Sequence, residues 1–204
     1  EILIKDSIIT EIGNSLGNAE VEIDANGAVI IPGFVDSHTH PIFSGNRSNE
    51  FSQRILGKSY EEIAFDGGGI NSSIHALRSS NEDELYKECL ERINYFLEFG
   101  TTTIEAKSGY GLTVKDEIKS LRVIKRLNDN SPLDIIPTFM GAHSIPPEYI
   151  NNPSKYIDLI CEEMIPQVAE EKLAVYCDVF CEKGYFSLKS SRYILETAKK
   201  YGLK

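Results

Sequence analysis

Along the first thirty residues apolar positions alternate with polar ones in short runs. Ile2 and Ile4 precede a turn at residues 5–7, Ile8, Ile9 and Ile12 lead to Gly13, and Val21 and Ile23 come before Asn26-Gly27. This alternation, broken by turn residues, predicts exposed strands in a small β piece. From residue 32 the pattern changes to apolar strands separated by amphipathic helices, the signature of a parallel α/β architecture. The first such strand is expected at residues 33–37.

Leu85, Cys89, Leu90, Ile93, Phe96 and Leu97 recur at helical spacing between an Asn81-x-x-Glu84 capping box and Gly100, and a strand follows at 101–106. Thr113-x-x-Asp116 opens the next helix, with Val114, Ile118, Leu121, Ile124 and Leu127 on one face and a strand at 134–140 after it. Tyr156, Ile157, Ile160, Cys161, Met164, Ile165 and Val168 form a third stripe, with a kink expected at Pro166, before a strand at 175–181. Ser187 caps the last helix and Gly202 ends it.

Four βα units make the first half of a TIM-like (β/α)8 barrel, whose complete form takes about 250 residues. Residues 32–204 are therefore expected to be the barrel portion and residues 1–31 part of a small β domain. A small open doubly wound sheet is the other α/β solution; it would align the polar strand ends in a crevice rather than a ring. Both folds put chemistry at the C-terminal ends of the strands.

Composition narrows the partners. The 204 residues are 41% hydrophobic and 25% charged, which suits one well-packed core. Asp and Glu number 31 against 21 Lys and Arg, and the net charge of -10 repels nucleic acid and anionic lipid surfaces. The longest apolar run, residues 28–35, is broken by Pro32 and Gly33 and falls far short of the ~20 residues that cross a bilayer. A small-molecule partner fits best, and a homodimer is allowed for. Cys89, Cys161, Cys177 and Cys181 lie in segments that read as buried, as reduced thiols of a cytoplasmic protein do, and the C-x3-C pair lacks the second Cys/His pair of a zinc site. The chain opens at Glu1 rather than Met, which leaves room for an upstream segment. Residues 66–73, with Gly67, Gly68 and Gly69, lack the G-x-G-x-x-G spacing and are expected to form a flexible active-site loop rather than a phosphate cradle.

The candidate chemistry begins at Asp36-Ser37-His38-Thr39-His40, at the end of the first strand. In extended chain His38 and His40 point the same way, about 7 Å apart, so two imidazoles can share one metal. Two hydrogen-bonded structural histidines would give the same spacing. Glu182 either supports such a site or merely closes its strand. His75, beside Arg78 on a polar helix face, is expected to be solvated.

The stretch from Ile31 to His40, Ile-Pro-Gly-Phe-Val-Asp-Ser-His-Thr-His, resembles the first-strand motif of the metal-dependent amidohydrolase superfamily, and the preceding β segment resembles that superfamily's small β-sandwich domain. Three further stretches narrow the resemblance to the imidazolonepropionase family: Phe43-Ser44-Gly45-Asn46-Arg47, Glu105-Ala106-Lys107-Ser108-Gly109-Tyr110-Gly111-Leu112, and Pro137-Thr138-Phe139-Met140-Gly141-Ala142-His143. Asp178-Val179-Phe180-Cys181-Glu182 fits as well. The resemblance runs through essentially the whole chain.

It implies one divalent metal ion, zinc or iron, that activates water to open the imidazolone ring of 4-imidazolone-5-propionate, giving N-formimidoyl-glutamate in histidine breakdown. His38 and His40 are carried over as metal ligands, and Arg47, Tyr110 and His143 as substrate-binding residues. Lys107, which in some relatives would bridge two metals as a carbamate, is expected here to be a structural or electrostatic strand-end residue. A further metal-binding histidine, the catalytic acid and a metal-ligating aspartate are expected beyond Lys204, so the chain reads as an N-terminal portion of the enzyme. A neighbouring amidohydrolase of nucleobases or other cyclic amidines would share His38 and His40 but not need Arg47 and the Lys-Ser-Gly-Tyr-Gly loop. A non-catalytic α/β binding module would keep the histidines for structure alone, and metal content separates it from the enzymes.

Overall fold

The computed structural model describes residues 1–59, 62–63 and 66–204. The chain divides into two compact units, Glu1–Pro32 and Gly33–Lys204.

In the first unit β1 (Ile2–Lys5) pairs antiparallel with β2 (Ile8–Ile12), Ile2 opposite Ile12 and Lys5 opposite Ile8. Asp6 and Ser7 join them with φ of 50° and 65°, the left-handed pair that suits the twist of a two-residue hairpin. Asn26-Gly27 turns as its sequence predicts, with Ala28 N–H donating to the Ala25 carbonyl at 2.8 Å. Val21 and Ile23 depart from expectation. They lie in irregular chain, 75% and 89% exposed, because the alternation that marks a strand needs a partner to cover its apolar face, and none does so in this unit.

The second unit holds the strands β3 (Phe34–Thr39), β4 (Thr101–Lys107), β5 (Asp134–Ala142) and β6 (Tyr176–Val179). All are parallel, in the order β3-β4-β5-β6. Each strand lies beside its successor in the chain with no reversal of order, so the sheet lacks the switch point of a doubly wound fold.

The first helices are α1 (Ser48–Ile55), α2 (Ile70–Ser79) and α3 (Glu82–Glu98), followed by α4 (Val114–Asn130). After them come α5 (Pro153–Leu159), α6 (Ile165–Glu170) and α7 (Leu188–Lys200). The Asn81 carboxamide and Glu84 form the full capping box of α3, Thr113 caps α4 and Ser187 caps α7. The kink near Pro166 is a π turn at Ile160–Met164, just ahead of the proline. Pro166 has no N–H to continue the α-helical ladder, and the distortion falls on the turn before it. Residues 66–73 are not one loop: Gly69 caps α2, and the helix begins at Ile70.

One face of the sheet carries Ile104, Ala106 and Phe139, all fully buried with Leu85, Cys89 and Ile93 of α3 and Leu121, Ile124 and Leu127 of α4. The same core takes in Tyr156, Ile160 and Met164 on the third stripe and Ile194 and Ala198 of α7. Cys89, Cys161 and Cys177 are buried as expected, and burial pushes the Cys177 thiol up to about 12. Cys181 departs from expectation and is exposed, since β6 ends at Val179 and the chain turns outward. Among the described residues no helix is long and apolar enough to cross a membrane.

Candidate functional site

Period-two alternation puts Glu105 and Lys107 of β4 on the face opposite Ile104 and Ala106. Thr138 stands opposite Lys107 in the ladder, and the Glu105 carboxylate accepts from the Thr138 hydroxyl at 2.6 Å. The Lys107 ammonium, 4% exposed at its side chain, donates to Glu105 of its own strand at 2.8 Å and to Asp178 of β6 at 2.9 Å, and with the Thr138–Glu105 bond the network joins β4, β5 and β6. Burial opposes the ammonium charge, but these two carboxylates outweigh it and hold Lys107 above the ordinary lysine value. Lys107 is thus an electrostatic clasp at the strand ends.

A register shift between Asp36 and Thr39 brings Thr39 opposite Ala106. His38 and His40 therefore alternate onto the polar face, beside Glu105 and Lys107. Beyond them the chain is fastened to α3: Arg92 donates to the carbonyls of Pro41 and Phe43, at 3.1 and 2.6 Å, and lies over the Phe43 ring. Glu88 accepts from the Ser44 hydroxyl and the Gly45 amide.

Four of the five residues singled out in the sequence share one cluster of rings. The His38 and His40 centroids lie 5.5 Å apart, His40 stacks on His143 at 4.6 Å, and Tyr110 packs 5.7 Å from His40 and 5.2 Å from His143. Phe180 borders His143 at 6.2 Å. Burial, helped by the neighbouring His143, His38 and Lys107 charges, lowers His40 to about 4. Burial likewise lowers His143. His143 Nδ1 lies 2.9 Å from the Gly109 carbonyl, which can only accept, so Nδ1 carries the proton and Nε2 keeps its lone pair.

Arg47 stands at the N-cap of α1, where its Nε and Nη2 donate to one oxygen of Glu50 at 2.8 and 2.6 Å. The other Glu50 oxygen accepts from the Gly69 amide at 3.1 Å, which links Arg47 to the glycine tract. His75 is exposed on α2, whereas Arg78 is engaged with the Gly111 and Leu112 carbonyls and with Glu148. Glu182 is exposed and accepts from the Lys183 amide.

Two of the loop's glycines are sterically required. A Cβ on Gly109, at φ +113°, would stand 2.8 Å from the Met140 carbonyl and 2.9 Å from the His143 Cβ. One on Gly111 would meet the backbone of Asp116 and Glu117 at 2.5 to 2.8 Å. The loop thus passes in direct contact with His143 on one side and with the first turn of α4 on the other.

Over 207 aligned residues the chain is 47% identical to the imidazolonepropionase of Christiangramia forsetii, an alignment that takes in 100% of this chain and 50% of that protein. The chain is thus similar from end to end to imidazolonepropionases. It is also 49% identical over 205 residues to the imidazolonepropionase of Thermoanaerobacter pseudethanolicus, covering 100% of the chain and 49% of the relative. With that of Brevibacillus brevis the identity is 51% over 181 residues, 89% of the chain and 43% of the relative. The chain thus spans about half the length of the curated imidazolonepropionases it matches. No family model matches it. Among solved structures, a 5-methylcytosine deaminase from Klebsiella pneumoniae liganded with phosphonocytosine shares the fold, with a TM-score of 0.56 at 16% identity over 98% of this chain and 52% of that one.

Sequence reasoning on this imidazolonepropionase relative missed the residues that hold the site from behind. Glu117 is fully buried, and its Oε1 accepts from the amides of Gly109, Gly111 and Leu112 at 3.2, 2.8 and 2.9 Å. Glu88, Arg92 and Arg78 also bond backbone atoms of loops. Helical periodicity reads such residues as polar surface; only the unusual Gly109 and Gly111, which need a tightly held loop, hinted at a buried anchor nearby.

Proposed function

We propose that the chain carries part of the site of an enzyme that hydrolyses the imidazolone ring of 4-imidazolone-5-propionate, giving N-formimidoyl-glutamate. The observation that carries this reading is the convergence of His38, His40, Tyr110 and His143 in one ring cluster at the strand ends. The identity to imidazolonepropionases and the glycine contacts that force the Gly109-Tyr110-Gly111 loop against His143 support it. In this reading the four parallel strands are half of an eight-stranded barrel, and the hairpin unit is part of a small β-sandwich domain.

His38 and His40 would hold one divalent metal, zinc or iron. His40 suits this role because burial keeps its imidazole neutral, and its Nδ1 is buried without a hydrogen-bond partner. Among the described residues no group of three or more His, Cys, Asp or Glu is arranged to hold a metal, so these two are only part of a ligand set. When bound, such a metal lowers the pKa of a water and supplies a nucleophile near neutral pH.

The chain's own residues bind and orient. His143, protonated at Nδ1 by its bond to Gly109, offers Nε2 as an acceptor to a ring N–H of the substrate. Tyr110 covers the ring and contributes its hydroxyl. Arg47 clamps the propionate carboxylate by exchanging part of its bonding to Glu50, since a net charge of -10 makes a local cation necessary for an anionic substrate.

The test is to offer the purified full-length protein 4-imidazolone-5-propionate beside cytosine, guanine and other cyclic amidines, and to identify products by mass spectrometry. Selective formation of N-formimidoyl-glutamate supports the reading. Turnover of a nucleobase instead would favour a neighbouring amidohydrolase activity.

A further inference from the structure

Glu117 has no part in the reaction outlined above, yet it is fully buried directly beneath the loop that presents Tyr110. It sits in the first turn of α4, four residues after the Thr113 cap, where the helix dipole favours a negative group. A single oxygen gathers three amide donors, from Gly109, Gly111 and Leu112, that bracket Tyr110 on both sides. Gly109 at φ +113° and Leu112 at φ +53° hold conformations that a free loop would seldom keep, so the bonds select one loop shape among many. Arg78 grips the same loop by the carbonyls of Gly111 and Leu112, from the side that offers acceptors.

We infer that Glu117 is the positioning residue for substrate binding: it holds the backbone on either side of Tyr110 so that the ring packs against His40 and His143. This rests on the reading that Tyr110 and His143 contact the substrate. No other side chain among the described hydrogen bonds receives amide protons from both flanks of Tyr110. Glutamine keeps the shape but replaces the carboxyl group that gathers the three amides by a carboxamide. Alanine leaves the three amides without a buried acceptor.

The experiment compares Glu117→Gln, Glu117→Ala, Tyr110→Ala and the double variant Glu117→Gln/Tyr110→Ala in the full-length protein, by steady-state kinetics, metal analysis and thermal melting. Glu117→Gln should raise KM about three- to tenfold with kcat changed less than twofold and metal content unchanged. Once Tyr110 is Ala, adding Glu117→Gln should raise KM no further, because the residue acts through Tyr110. Unchanged KM in Glu117→Gln, or an effect of the same size with and without Tyr110, overturns the inference. If Tyr110→Ala itself leaves KM unchanged, the substrate-binding reading fails instead. Should Glu117→Ala not fold, Glu117→Gln decides alone, since it retains the buried volume.

Discussion

The imidazoles of His40 and His143 stack with centroids 4.6 Å apart and planes 14° from parallel. Two cationic rings could not lie so close in a buried setting without large repulsion. Burial lowers the pKa of both, and in His143 the Gly109 carbonyl fixes the proton on Nδ1. Histidine 15N spectra at neutral pH should therefore show His143 as the Nδ1–H tautomer; an Nε2–H signature would contradict the assignment.

Acid should weaken the metal-free protein through His40. The unfolded chain takes up this proton near pH 6.5 and the folded one only at about 4. Between those values the unfolded state binds more protons, so the contribution is complete above pH 6.5 and lost as pH falls through the window toward 4. Urea midpoints at pH 7, 5.5 and 4.5 should drop more steeply in the wild type than in His40→Gln. A His40 ring proton that titrates at 6.5 by NMR would refute this.

Replacing Lys107 by Met should cost roughly 3 kcal/mol, because it strands the Glu105 and Asp178 carboxylates without the ammonium that joins their strands. It should also raise the His40 pKa, since the Lys107 charge is one of the influences that lower it. Denaturant melts and the His40 titration read the two effects. A variant as stable as wild type would remove the clasp from the account.

Gly109→Ala should destabilise by about 1–3 kcal/mol, as its Cβ would be forced into the Met140 carbonyl and His143. Gly184→Ala is the control: the same positive φ class, but with nothing within 4 Å of the added carbon. If the two variants lose equal stability, backbone strain alone explains the effect and the contact with His143 does not.

Arg47→Lys should lose affinity despite keeping its charge, because a point charge cannot reproduce the planar fork. Arg47→Ala should cost on the order of ten- to a hundredfold in kcat/KM, mainly through KM, with metal content unchanged. Unchanged KM in both variants would mean that another residue holds the carboxylate.

The strands and helices of the second unit were legible because period and capping act locally: Asn81, Thr113 and Ser187 cap where their sequences say. Val21 and Ile23 were misread because a strand exists only with a partner, which alternation does not supply. His38, His40, Tyr110 and His143 were each expected at or just past a strand end, which is where the ring cluster forms. What was not legible is the partner of Arg47. The Arg47 bond to Glu50 depends on a helix that starts one residue later and turns Glu50 back toward it, a relation three residues apart that motif similarity does not carry. Glu117 escaped for the same cause, since burial of a helical carboxylate is decided by the loop folded over it.

The most direct measurement is metal content and turnover of 4-imidazolone-5-propionate in one preparation each of the full-length wild type, His38→Ala and His40→Ala. The account predicts one zinc or iron per wild-type chain, with both metal and activity lost together in each variant while the fold is retained. Full metal occupancy and undiminished turnover in His40→Ala would contradict it.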